Sequence, residues 1–229
     1  MKRFSIVFIL IMLAEILAIY NQDLYPWFEY ISKPLIVLSL IIFLLSSTSG
    51  NKLPFKKWIF IALVFSWFGD VLLMFVDQKP NFFLFGLIAF LISHVFYIVA
   101  FTKTVHKPLD IELFRRYPWM LLIPYGYAFY VYSELKSHLN EMSIPVLIYI
   151  FIISTMFAVA MSRYGKVALS SFTWIIMGAV FFVASDSILA INKFHHQIIY
   201  APYLIIITYM LAQYFIVRGA ALQIEEQTT

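Results

Sequence analysis

Two aspartates lie deep inside hydrophobic runs of this chain. Asp70 sits in Phe65-Ser66-Trp67-Phe68-Gly69-Asp70-Val71-Leu72-Leu73, and Asp186 in Phe181-Phe182-Val183-Ala184-Ser185-Asp186-Ser187-Ile188-Leu189. Both strings read Phe-x-x-x-(Gly/Ser)-Asp-x-(Leu/Ile)-Leu. A charged side chain at the centre of a bilayer costs about 2.5–3.5 kcal/mol on insertion scales, so an intramembrane acid marks a functional site by default. Two carboxyls in one low-dielectric pocket resist ionising together, because burial and like charge both favour a neutral form. Such a couple suits acid-catalysed cleavage of an acetal-like bond. One carboxyl delivers the proton and the other stabilises the cation, as glycosidases do on sugars. The plainer alternative is that each Asp joins helices through a hydrogen bond to Ser66, Ser185 or Tyr97.

Two further ionisable residues fall inside hydrophobic runs, Glu15 and His94. At 1.5 Å per residue, Glu15, Asp70 and Asp186 lie roughly 16–22 Å from the cytoplasmic ends of their helices, and His94 about 12 Å. All four therefore share a layer from mid-membrane to the outer half, which predicts a polar pocket open to the non-cytoplasmic side or laterally to the outer leaflet. Glu15 is also near enough to its helix end to reach interfacial water. His94, with Tyr97 one turn on, also reads as a neutral structural histidine. A catalytic zinc site needs three His, Asp or Glu ligands and an open position. With one buried histidine, and with His195 and His196 at the outer surface, no metal and no other cofactor is expected. A serine triad lacks its Gly-x-Ser-x-Gly elbow, and Ser93 next to His94 points away from it on a helix.

The elements that must position these residues are membrane spans. Of 229 residues, 63% are hydrophobic and 12% charged, against about half and a quarter in soluble domains. There is no cysteine, which excludes disulfides, thiolate nucleophiles and iron–sulfur clusters. The charge of +4 is scattered over short loops, so nucleic acid is not a partner. Eight segments are long and apolar enough to cross or nearly so: 4–20, 34–49, 58–76, 82–102, 118–132, 144–161, 171–192 and 200–218. The first resembles a signal peptide after Met1-Lys2-Arg3, but it contains Glu15 and lacks a small-x-small cleavage site, so it reads as an uncleaved helix. Pro34, Pro118 and Pro145 mark helix starts, and Pro124 a kink.

With the N-terminus in the cytoplasm, one side holds Lys2, Arg3, Lys52, Lys56, Lys57, Lys103, Lys107, Arg115, Arg116, Arg163, Lys166 and Arg218. The other holds Lys33, Lys79, Lys136 and Lys193. Twelve against four is a positive-inside pattern that places both termini in the cytoplasm. The Asp strings then fall on the third and seventh spans, which run in the same direction and predict a four-plus-four parallel repeat. The expectation is an all-α membrane protein, one polytopic domain over 1–229 in an eight-helix bundle. Compact loops and the lack of cysteine point to a bacterial inner membrane.

Several strings together carry a resemblance. They are Lys33-Pro34-Leu35, Gly69-Asp70-Val71-Leu72-Leu73, Gly86-x-x-x-Phe90-x-x-x-His94-x-x-Tyr97, Gly178-Ala179-x-x-Phe182-x-x-Ser185-Asp186-x-x-Leu189-Ala190 with Phe194, and Tyr209-x-x-Ala212-Gln213. In order and spacing they resemble the YhhN/lysoplasmalogenase family of integral membrane proteins over nearly the whole chain. The resemblance implies hydrolysis of the vinyl ether bond of a lysoplasmalogen, or a related lysolipid, to a fatty aldehyde and a glycerophospho-headgroup. Asp70 and Asp186 would divide the acid role and the cation-stabilising or water-activating role. His94 and Gln213 would position water or the leaving alcohol, with Tyr97, Ser185 and Glu15 in support. Lys33 would pair with an Asp or hold the phosphate of the membrane lysophospholipid, with an interfacial anchor as its plainer reading. Lys193, His195 and His196 near the same face would add to the phosphate site. From another class, a proton-coupled transporter also uses intramembrane acids, and a non-catalytic lipid-binding protein would need no turnover. Spans three and seven lack the Gly/Pro-broken centres that many carriers use.

Overall fold

The computed structural model describes residues 2–48, 50, 53–103 and 112–227, and every regular element among them is helical. A chain in lipid must satisfy each backbone N–H and C=O within itself, which the helix does. In chain order the helices are α1 (Lys2–Tyr20), α2 (Pro26–Ser47), α3 (Pro54–Leu73), α4 (Asn81–Lys103), α5 (Glu112–Arg116), α6 (Leu122–Leu135), α7 (Ser143–Ser162), α8 (Leu169–Phe194) and α9 (Ala201–Glu226). Single 3-10 turns flank α6, Pro118–Leu121 before it and Lys136–His138 and Asn140–Met142 after it. By length and composition α1, α2, α4, α7, α8 and α9 can each cross a membrane. The other two predicted spans are α3, whose 20 residues include Lys56, Lys57 and Asp70, and α6, which has 14 residues. The outer surface is hydrocarbon: Ile6, Leu10, Leu13 and Leu17 on α1, and Phe129 on α6, are all at least half exposed. The protein is an integral multi-pass membrane protein.

Helix boundaries differ from expectation at three places. Pro34 does not start α2 but lies inside it; Pro26 occupies the first turn, and the Lys33–Glu29 ion pair at 2.9 Å spans the step just before Pro34. Pro124 does not sit mid-span: α6 begins at Leu122, so its missing N–H falls in the first turn, where no bond is lost. The last helix runs past Arg218 to Glu226, because Arg218 stacks 4.0 Å from the Trp174 ring and donates to Tyr214 Oη at 3.2 Å. Arg163, read as a loop charge, is fully buried; it donates to Ser171 and Gln223 and lies over the Phe55 and Phe101 rings. Of the other predicted inner charges, Lys52 and Lys107 lie outside the described residues.

Two helix pairs form the frame, α3 with α4 and α8 with α9, the most extensively packed neighbours in the molecule. Lipid offers no hydrophobic force between helices, so close contact relies on small residues and van der Waals packing. A Cβ at Gly69 would stand 2.6 Å from the Phe90 ring, and one at Gly86 2.7 Å from Leu73. In the second pair a Cβ at Gly178 would meet Ile216 at 2.6 Å and the Ala212 carbonyl at 2.8 Å, and one at Gly219 would meet Ile175 at 2.7 Å. The main core joins α1–α4 with α7–α9, while α6 packs through a smaller cluster of Val131, Leu135, Leu139 and Val146.

Candidate active site

Each aspartate follows a small residue that faces a neighbouring helix. Gly69 precedes Asp70 and admits Phe90 of α4. Ser185 precedes Asp186, and its hydroxyl donates to the Ile205 carbonyl of α9 at 3.0 Å. Asp70 lies one turn from the C-terminal end of α3, whose first unwound residue donates back to the Asp70 carbonyl.

Both carboxyls face a cavity of about 320 Å³ bounded by α1, α2, α3, α4, α8 and α9. Glu15, Lys33, Ser185 and Lys193 line it too. Lys33 bonds Glu29 at 2.9 Å and lies near enough to Asp70 and Glu15 to attract both. Lys193 stands 5.4 Å from the Phe83 ring centre. Glu15 is fully buried and accepts from Ser32 at 2.6 Å, leaving Oε1 without a hydrogen bond.

Each carboxyl is held by a tyrosine from a different helix. Tyr209 Oη donates to Asp70 Oδ2 at 2.7 Å, and Tyr149 Oη to Asp186 Oδ2 at 2.5 Å. The Tyr209 proton is directed by a relay. Tyr97 donates to Gln213 Oε1 at 2.6 Å, and Gln213 Nε2 donates to Tyr209 Oη at 3.3 Å, so Tyr209 accepts on that side and its single hydroxyl proton points at Asp70. Tyr97 and Gln213 therefore act from behind Tyr209 and do not line the cavity. In both aspartates Oδ2 takes the tyrosine, which leaves Oδ1 for a substrate or water.

His94 Nε2 is 3.9 Å from Asp186 Oδ2, and its ring meets Tyr149 and Phe182 edge-on. It is fully buried; its backbone neighbour is the Phe90 carbonyl one turn earlier, and neither nitrogen makes a hydrogen bond of good geometry. Ser93, adjacent in sequence, points elsewhere and pairs with Ser66 at 2.7 Å. His195 packs on His138, ring centres 4.7 Å apart, and neither it nor His196 lines the cavity. Among the described residues no three His, Asp or Glu side chains gather as metal ligands.

Ser66, Ser185 and Tyr97 are thus not the partners of the aspartates; Tyr149 and Tyr209 are. Tyr209 had a sequence signal, one turn ahead of Gln213 on the same face. Tyr149 had only its hydroxyl, in a helix that reads as uniformly apolar.

Residues 28–220 match the sequence profile of the YhhN family. The chain is 30% identical to lysoplasmalogenase TMEM86A of Homo sapiens over 200 residues, 85% of this chain and 78% of that protein. It is 32% identical to lysoplasmalogenase TMEM86A of Bos taurus over 202 residues, with coverage of 85% and 78%. It is 31% identical to lysoplasmalogenase TMEM86B of Mus musculus over 196 residues, covering 85% and 76%. No solved structure matches the chain. Both aspartates, both tyrosines, His94, Gln213, Lys33 and Lys193 lie within the matched range. The chain belongs to the YhhN family.

Proposed function

We propose that this protein is a membrane hydrolase that cleaves the vinyl ether bond of a lysoplasmalogen, releasing a fatty aldehyde and a glycerophospho-headgroup. The observation that carries this reading is that Asp70 and Asp186, distant in sequence, line one cavity beside Lys33 and Lys193. The curated relatives, which carry the name lysoplasmalogenase, supply the substrate class.

The reaction needs three things from these side chains. One carboxyl gives its proton to the vinyl carbon, making an oxocarbenium ion. The second carboxylate stabilises that cation and takes a proton from the water that adds to it. The hemiacetal then collapses to aldehyde and alcohol: the second carboxyl gives its new proton to the leaving oxygen, and the first carboxylate takes the hemiacetal hydroxyl proton, which restores both groups. Positioned general acid–base groups contribute about 10²–10⁴-fold each. Lys33 and Lys193 supply point charges for the phosphate, and His94, against Asp186, orients that carboxyl or the water.

The architecture belongs to the same reading: one polytopic domain over 1–229, eight crossings that include α3 and the short α6, and both termini cytoplasmic. Exposed Tyr25, Trp27 and Tyr200 at the ends of α2 and α9 fit an aromatic belt at the outer interface. A four-plus-four repeat is supported by a reciprocal pattern. The first helix of each tight pair carries an Asp, and the second reaches across: Tyr209 of α9 to Asp70, and His94 of α4 to Asp186. The compact loops and lack of cysteine favour a bacterial inner membrane.

The deciding experiment uses the purified protein in detergent and in liposomes. Aldehyde release from lysoplasmalogen is expected. Proton-linked flux across the liposome without bond cleavage would replace the hydrolase with a carrier. In the same assay Tyr209→Phe and Tyr149→Phe are each expected to lower kcat about tenfold or more, the worth of a hydrogen bond to a charged group, with KM little changed. A drop confined to KM would assign the tyrosines to substrate binding instead.

A further inference from the structure

Two compartments meet at Asp186. One is the charged cavity described above. The other is a narrow slot of about 50 Å³ between α4, α6, α7 and α8. Leu73, Phe83, Phe90, Asp186 and Leu189 line both. Beyond Asp186 the slot is walled by Leu87, Val131, Val146, Ile150 and Ile153. Of its few polar groups, Ser187 is bonded to the Val183 carbonyl and Tyr149 to Asp186. The slot lies on the seam between the main core, which includes Ile153, and the separate cluster of Val131 and Val146 under α6.

We propose that this slot parts along that seam to receive the hydrocarbon chain of the substrate and sets its length preference. The proposal rests on the hydrolase reading. An amphiphile needs a charged chamber and an apolar one on either side of its reacting bond, and these two share the Asp186 carboxyl in their walls. The polarity fixes the direction: phosphate toward Lys33 and Lys193, chain past Asp186. In a vinyl ether the carbon that accepts the proton lies on the chain side of the oxygen. With the chain in the slot that carbon stands at Asp186, and the ether oxygen and glycerol lie toward Asp70. Asp186 is then the proton donor, and Asp70 faces the cation and the incoming water.

The slot is narrow, so added bulk fills it. Ala128→Leu and Val146→Phe reduce it, and Ile150→Ala enlarges it. The experiment measures kcat/KM for lysoplasmalogens of one headgroup with short and long alkenyl chains, on wild type and the three variants. The filling variants are expected to lose the long chain relative to the short by about tenfold or more, the scale set by methylenes in an apolar pocket. Ile150→Ala is expected to move the ratio the other way. The ratio is the readout, because a poorly folded variant loses both substrates alike; if the filling variants do not fold, Ile150→Ala still reports. An active wild type with an unchanged ratio in the folded variants removes the slot and leaves the hydrolase. A wild type inactive on every chain length removes the hydrolase reading, and the slot with it.

Discussion

Asp70→Asn and Asp186→Asn are each expected to lower aldehyde release from lysoplasmalogen by about 10²–10⁴-fold, the contribution of a positioned acid or base. The substitution is chosen because asparagine keeps the shape and an oxygen to accept from the tyrosine. Tyr209 and Tyr149 retain their partners, so the fold is expected to survive, as checked by thermal melting and by size-exclusion chromatography. What asparagine lacks is a proton to give at Asp186 and a negative charge to offer at Asp70. The Asp186 variant is expected to show the larger defect, because protonation of carbon opens the reaction. The double variant is expected to fall little below the worse single one, since groups that act as a unit are not additive. KM is expected to change little, because Lys33 and Lys193, proposed to hold the phosphate, are untouched. Turnover near wild type in both single variants, in folded protein, would sink the acid site. The aspartates would then be helix connectors that bond tyrosines.

Much of this site could be read in the chain because it is expensive. Asp70, Asp186, His94 and Glu15 announce themselves by standing in hydrocarbon, and period and loop charge put them at one depth. The structure places Asp70, Asp186 and Glu15 on one cavity and His94 behind Asp186. The hydrogen-bond partners were not legible. Serine and tyrosine hydroxyls cost little in a helix, where a serine bonds the carbonyl one turn back. Their sequence positions therefore carry almost no signal about which will leave its own helix for an aspartate. Ser185 bonds the Ile205 carbonyl and Ser187 the Val183 carbonyl, while Tyr149, unmarked by any charge nearby, holds Asp186.

The helices were legible where apolar length is long and less so where prolines and charges stood in for ends. Pro34 reads as a start because proline breaks i to i−4 bonding, yet one missing bond is tolerated when residues on both sides are already helical. Arg218 reads as an interface charge, yet the Trp174 face gives it a partner within the bundle. Arg163 reads the same way and is wholly buried between helix ends. In each case a tertiary contact outweighed a local rule, and no single sequence contains the contact.

Gly178→Val is expected to be the most damaging substitution outside the cavity. A Cβ there would lie 2.6 Å from Ile216 Cγ1, 2.8 Å from the Ala212 carbonyl and 2.9 Å from the Ile216 amide nitrogen. A side-chain tip can rotate away; two backbone atoms of α9 cannot. The helices of the α8–α9 pair must therefore separate, and in lipid no hydrophobic force restores the contact. Overpacking of this kind costs about 1–3 kcal/mol and occasionally more, and at the upper end it lowers Tm by roughly 10 °C in a chain of this size. Function falls further than stability. Asp186 lies about two turns along α8 from Gly178, and Tyr209 lies one turn before Ala212 and Gln213 on α9. Separation shifts Asp186 against the helix that holds Asp70 through Tyr209, and the proposed mechanism requires the two carboxyls on one substrate. Gly126→Ala is the control: nothing stands within 4 Å of its added Cβ, in the interior of α6, so stability is expected to hold or rise by up to about 1 kcal/mol. Thermal melting and turnover are measured on both variants in one detergent. Gly178→Val matching Gly126→Ala in both would mean that close approach of α8 and α9 does not position the site.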